Sequence, residues 1–180
     1  TGRQVGTRAR PVIDIEKEGL LLLSEALGAI GDQYAIYGFS GQTRQSVDIQ
    51  IIKDFDQRSG GRVGLKISGI TPRQQNRDGA AIRHATHRLL QQAAKVRLLI
   101  LISDGKPLDD DYADEYSLED TKMALREARL QGVHPFCITI DRAPTDYVKR
   151  MYGEIGYLVV DEVDALPTKL PKIYQRLTAR

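Results

Sequence analysis

The chain has one cysteine, Cys137. That count excludes an internal disulfide and any cysteine-based zinc site. Cys137 lies in an apolar run and reads as a buried small hydrophobe, which fits a reducing, cytoplasmic compartment. There is no apolar run of the roughly 18 residues a membrane span needs, and no signal peptide is visible. Neither sign of charge dominates: 26 basic residues face 24 acidic ones, for a net charge of +2. A nucleic-acid partner therefore has no electrostatic argument behind it. Neither the G-x-G-x-x-G pattern nor a P-loop follows any strand, which argues against nucleotide binding. A nucleophile elbow for Ser-His-Asp catalysis is also missing.

The 180 residues fit one domain with a sizeable core. Residues 1–11 are polar and basic and read as a flexible arm, with the domain spanning 12–180. Pro11 opens a helix over Val12–Ile30, stopped by Gly31. Leu20–Leu23 is apolar nearly all round, which predicts deep burial. Tyr34–Phe39 and Val47–Ile52 read as paired strands around a polar turn at Ser40–Gln45. Val63–Ile67 reads as a short helix in an ambiguous stretch. Asn76 or Asp78 caps a helix running to about Ala94. Leu98–Ile102 is a short apolar run closed by Ser103-Asp104-Gly105, the pattern of a strand buried on both faces. Ser117 and Asp120 open a helix in the manner of a capping box, and Gly132 closes it. Val133–Ile140 and Tyr157–Val160 are further strands, with a short helix at Thr145–Tyr152 between them. Pro167 and Pro171 predict a last helix that begins late or comes in two pieces. Strands alternating with helices give the α/β class: a mostly parallel, doubly wound sheet.

In such sheets, ligands bind at the carboxyl ends of the strands. Asp104 stands there, followed by a permissive glycine; a turn or N-capping aspartate is the plain alternative. Asn76 and Asp78 precede a helix on a loop that reaches the same edge. Their oxygens, with that of Asp104, are hard ligands suited to Mg²⁺ or Mn²⁺. Asp109, Asp110 and Asp111 form an acidic loop just beyond. It is either a solvated face or a charged rim that steers a basic partner. His84 and His87 stand one helical turn apart, but a bare H-x-x-H without a third ligand points to surface or packing roles.

Seven segments together carry a resemblance: VIDIEKEGLLLLSEAL, YAIYGFS, IKDFD, GAAIRHA, LILISDGKP, EDTKMALREARLQGVHPFCITID and LPTKLPKIYQRLT. The chain resembles a von Willebrand factor A domain, and more narrowly the C-terminal A domain of the NorD/CbbO group. These are accessory proteins of MoxR-type AAA+ ATPases of the NorQ/CbbQ kind. The resemblance implies a Rossmann-like sheet and a metal-ion-dependent adhesion site built from three loops. Asp104 matches the third loop. Asn76 falls where the family has threonine, a departure that weakens the implied metal site. The first loop, Asp-x-Ser-x-Ser, is not among these residues. In the family a sequence like Thr1-Gly2 follows that loop directly, so the family's first, central strand is implied to be missing.

A missing central strand exposes two strand edges and a slot in the core. Unpaired buried backbone groups are costly, so the chain is expected to dimerise, swap an element or insert its amino-terminal arm. Metal binding by this chain alone is expected to be weak or absent. The implied function is a non-enzymatic interaction domain that presents a divalent cation to a partner's acidic side chain. The partner ATPase supplies the work, and the target is Rubisco or nitric oxide reductase. A structural A domain with a non-functional metal site is the alternative. A metal-dependent hydrolase is a weaker one, because Asp104 has no second well-placed carboxylate and no general base.

Overall fold

The computed structural model describes residues 12–43, 46–58, 60–69, 78–103, 114–140, 149, 152, 155–160 and 163–179. Helix α1 (Val12–Ile30) leads into an antiparallel hairpin of β1 (Ile36–Thr43) and β2 (Ser46–Lys53). Two helices follow, α2 (Gly61–Ser68) and α3 (Asp78–Leu90), and then strand β3 (Leu98–Ser103). Helix α4 (Asp114–Leu130) crosses to β4 (His134–Ile140), and β5 (Gly156–Val160) comes next. A 3-10 turn at Val163–Ala165 and helix α5 (Leu166–Thr178) complete the described elements.

Strands β3, β4 and β5 are parallel and lie side by side in that order. Alternation along each strand sorts the side chains onto two faces. Ile100, Ile102, Phe136, Ile138 and Leu158 meet α1 and α5 through Ile15, Leu23, Leu27, Leu166 and Leu170. Leu99, Leu101, Cys137, Tyr157 and Val159 meet α3 and α4 through Ile82, Leu118, Ala124 and Leu125. The result is three layers, with helices on both faces of a mostly parallel sheet, as the apolar runs predict.

The sheet is divided. The hairpin β1–β2 forms one piece and β3–β4–β5 the other, with no ladder joining them among the described residues. Both apolar cores nonetheless continue across the division. Ile36 of β1 packs in the same cluster as Ile100 and Ile102, and Phe39 in the same cluster as Leu99 and Leu101. The two pieces are therefore parts of one layer. A cavity of about 1190 Å³ opens between them, lined by Ile36–Ser40 on one side and Leu98–Ser103 on the other. This is the position of the central strand expected to be missing, and no described residue fills it. The amino-terminal arm at 1–11 and the expected helix at Thr145–Tyr152 lie outside the described residues, apart from Lys149 and Tyr152.

Several boundaries differ from the sequence reading, each for a local reason. Helix α1 is buried along the stripe Ile15, Gly19, Leu23 and Leu27, while Leu21 and Leu22 stay 38% exposed. The all-round burial expected of Leu20–Leu23 is thus limited to one side. Strand β1 begins two residues late because Tyr34 is an anchor instead. Its hydroxyl meets Ser24 Oγ at 2.7 Å, and its carbonyl accepts a 2.7 Å hydrogen bond from Lys53 Nζ. The expected turn at Ser40–Gln45 is strand as far as Thr43. Helix α3 stops at Leu90 rather than Ala94. There Arg97 donates to the carbonyl of Leu89 in the last turn at 3.1 Å and to that of Gln92 just past it at 2.8 Å. Helix α4 starts at Asp114, so Ser117 is a fully buried interior residue and not a cap. Gly132, at φ 86°, ends α4 as predicted. The Val133 amide returns to the Ala128 carbonyl at 3.0 Å, a closure that needs a left-handed residue. Helix α5 is preceded by the separate 3-10 turn, as the prolines predict, and continues through Pro171.

Candidate functional site

The carboxyl ends of the parallel strands share one edge. Ser103 is opposite Thr139, and Thr139 is opposite Val159. The amino terminus of α3, at Asp78, belongs to the helical layer over this sheet. A polar tier lies beneath the edge on that face. Asp78, Ser117, Thr121 and Thr139 have no exposed surface, and Ser103 is nearly as buried. Thr139 Oγ1 and the Tyr152 hydroxyl are 2.6 Å apart. Lower down the same elements the residues become apolar: Leu101 on β3, Cys137 on β4, Ala124 and Leu125 on α4. Buried hydroxyls and a buried carboxylate are costly unless partnered. Their concentration at the strand ends sets this edge apart from the rest of the core.

Burial raises the Cys137 thiol pKa far above its usual range, and the charge of Asp78 adds to the rise. A thiol held protonated and out of contact with solvent is a poor nucleophile. Cys137 in the native chain at pH 8 should react with a disulfide reagent more slowly than in urea-unfolded chain, by on the order of a hundredfold or more. Prompt labelling of the folded protein would contradict this placement.

Of the predicted metal ligands, Asp78 is the one within the described residues. It occupies the first turn of α3, fully buried. Asn76 and Asp104 lie outside the described residues, as do the side chains of Asp109, Asp110 and Asp111. Among the described residues, no group of three or more His, Cys, Asp or Glu side chains is arranged to hold a metal ion. His84 and His87 go separate ways. His84 stands edge-on to Tyr37, with ring centroids 5.6 Å apart. His87 meets Gln91 at 3.1 Å.

Two polar clamps escaped the sequence reading. One ties the hairpin to α3. Asp54, just past β2, accepts hydrogen bonds from the Tyr37 hydroxyl at 2.8 Å and from Arg88 at 2.7 Å. Burial alone would raise the Asp54 pKa. The bonds from Arg88, the Phe55 amide and Tyr37 outweigh it and hold the carboxyl below its usual range. The other clamp ties α3 to α4. Arg83 donates to Asp120 at 2.8 Å and to Glu127 at 2.9 Å. Glu127 follows Asp120 by seven residues, so both face α3 from two turns of one helix. That spacing was a signal available in the sequence.

The family model of the von Willebrand factor type A domain matches residues 18–174. A protein named NorD from Brucella melitensis is 40% identical over 169 residues, covering 93% of this chain and 27% of its own length. A protein named NorD from Stutzerimonas stutzeri is 46% identical over 152 residues, covering 84% of this chain and 25% of its own length. The chain thus spans about a quarter of the length of these relatives. A solved von Willebrand factor type A structure from Catenulispora acidiphila superposes with a TM-score of 0.63 at 16% identity, covering 89% of this chain and 37% of that one. At that identity the likeness concerns the fold alone. The family model, which takes in both helical layers and all five strands, agrees with the layered sheet described above: the chain belongs to the von Willebrand factor A domain family.

Proposed function

We propose that this domain is the recognition module of an accessory protein that works with a MoxR-type AAA+ ATPase. Its target in this reading is nitric oxide reductase, and Rubisco is the second candidate. The observation that favours the first is the identity of 40% over 93% of the chain to a protein named NorD. The domain binds and does no chemistry itself. Its working surface is the carboxyl edge of the sheet, where the polar tier of Ser103, Thr139 and Asp78 lies beneath. Asp104 and Asn76 offer oxygens to Mg²⁺ or Mn²⁺ at that edge, and Asp78 adds negative charge from below. When bound, such a cation completes its coordination with an acidic side chain of the partner. Asp109, Asp110 and Asp111 then act as a charged rim that speeds encounter with a basic surface.

No helix among the described residues is long and apolar enough to cross a membrane, and the proposal places the module in the cytoplasm. Its test is reconstitution of a longer form of the protein, one that includes the family's first metal loop, with the ATPase and the inactive reductase. Activation that requires ATP and stops when EDTA removes the divalent cation from the accessory protein supports the proposal. The ATPase must be kept supplied with its own Mg²⁺ in a separate preincubation. Activation that is indifferent to the cation on the accessory protein refutes the adhesion-site mechanism. Activation of Rubisco but not of the reductase moves the domain to the other branch.

A further inference from the structure

Helix α4 buries Leu118, Ala124, Leu125 and Ala128 against the sheet, yet its outer face also carries large apolar side chains. Tyr116 is 55% exposed, Met123 50% and Leu130 79%. Single exposed apolar residues are ordinary. These three are spaced by seven, and a helix drifts by only ~20° over seven residues, so they form one line. The line runs for about 21 Å, at ~1.5 Å of rise per residue. Glu119 and Arg126 stand beside it, about one turn before and one turn after Met123, and both are exposed. Neither makes an ion pair among the described residues, whereas Asp120 and Glu127, on the side toward α3, are both taken by Arg83.

We propose that the outer face of α4 is a self-association surface, on which a second copy of this chain lays its own α4 antiparallel. The twofold axis passes at Met123. Met123 then meets its counterpart, Tyr116 meets Leu130 of the second copy, and Glu119 stands across from Arg126 in both directions. The stripe itself selects a second copy as the occupant, because it matches its own reverse. Reversed about Met123, apolar residues fall on apolar residues, and the acidic position falls beside the basic one. A twofold pair keeps residues from one side of the stripe together, so the contact is isologous. The antiparallel sense brings each Glu119 to an Arg126. The parallel sense would set Glu119 against Glu119 and Arg126 against Arg126. One helix face falls short of the ~1,200 Å² of a standard interface, so the pair is weak and reversible, with a dissociation constant of roughly 10 µM to 1 mM. Helix α4 is the crossover between the parallel strands β3 and β4, so it runs against them. The antiparallel pair therefore points the two carboxyl edges in opposite directions, and each copy keeps its edge open to its own target. That consequence rests on the function proposed above; the pairing does not.

The experiment is sedimentation equilibrium of the 180-residue chain from micromolar to millimolar concentration, where a reversible monomer–dimer equilibrium is expected. Glu119→Arg and Arg126→Glu should each raise the dissociation constant at least about tenfold, by setting like charges across the axis. Circular dichroism and melting temperature should not change, since both side chains are exposed. An equimolar mixture of these two variants should associate at least as tightly as wild type, because every arginine then meets a glutamate. Loss of local structure would not be rescued in this way. Orientation is read by cross-linking under mild oxidation with diamide. Met123→Cys, on the axis, should give a disulfide-linked dimer. Leu130→Cys should give none alone, but should link to Tyr116→Cys when the two variants are mixed. The native Cys137 is fully buried and stays out of this exchange. A chain that remains monomeric up to millimolar concentration would overturn the proposal. So would association that neither charge reversal weakens, a mixture that does not recover, or Leu130→Cys linking to itself as readily as Met123→Cys.

Discussion

In a form of the protein that includes the family's first metal loop, Asp104→Ala is expected to abolish ATPase-dependent activation of the target. Residue 104 is the first after β3, whose last residue, Ser103, closes the buried polar tier. In the proposed site it is the anionic ligand contributed by the middle of the sheet. A hard divalent cation depends on charged oxygen ligands. Mutating groups that merely orient ligands already costs roughly 10–100-fold in metal affinity, so loss of the carboxylate itself should cost at least about a hundredfold. Stability should change little, because a residue past the end of a strand contributes little packing. A triple substitution of Asp109, Asp110 and Asp111 to asparagine should behave differently. It should slow association and flatten the salt dependence without abolishing activation, since a charged rim acts mainly on encounter. If Asp104→Ala activates as well as wild type at an unchanged melting temperature, the carboxyl edge is not the working surface.

The layered fold was legible in the sequence because its determinants are local. Leu98–Ile102 is a continuous apolar run and Phe136–Ile138 a shorter one within β4, which is what strands covered on both faces require. Gly31 and Gly132 mark helix ends that need φ above zero, and both have it, at 83° and 86°. Ends set by long-range partners were not legible. Helix α3 stops where Arg97 reaches back to the Leu89 carbonyl and to that of Gln92 just beyond the helix, and no pattern within 78–94 announces that. Tyr34 looks like a strand residue by composition, yet its ties to Ser24 and Lys53 hold it outside the ladder. The same limit applied to the candidate site. Asp78 was legible as a polar residue near the sheet edge, but its complete burial depends on how α3 lies over the sheet. The Asp54 clamp joins three segments far apart in sequence, Tyr37, Asp54 and Arg88. The slot between β1 and β3 was expected from the family resemblance rather than from periodicity.

Gly79→Ala should destabilise the chain by about 1–3 kcal/mol, the usual range for forcing an extra methyl into a packed site. Helix propensity alone predicts the opposite, since alanine is better than glycine in a helix interior by roughly 1 kcal/mol. The local geometry decides the sign. A β-carbon at position 79 would stand 2.1 Å from Asp120 Oδ2 and 2.7 Å from its carboxyl carbon. Asp120 is short, sits on the facing helix α4, and is engaged by Arg83 at 2.8 Å, so it cannot withdraw without giving up that bond. The Arg83–Asp120 pair is only partly buried and is worth no more than about 1 kcal/mol by itself. Most of the cost therefore comes from separating α3 and α4 near the polar tier. Asp120→Ala removes the obstacle together with the ion pair. In the double variant the alanine at 79 should no longer be penalised, so its stability should match or exceed that of Asp120→Ala alone. The resulting coupling energy should exceed about 1 kcal/mol, as expected for residues in direct contact. Urea unfolding of the four proteins measures it. Additive effects of the two substitutions, or a Gly79→Ala variant as stable as wild type, would show that α3 and α4 do not approach as closely here as the structure has them.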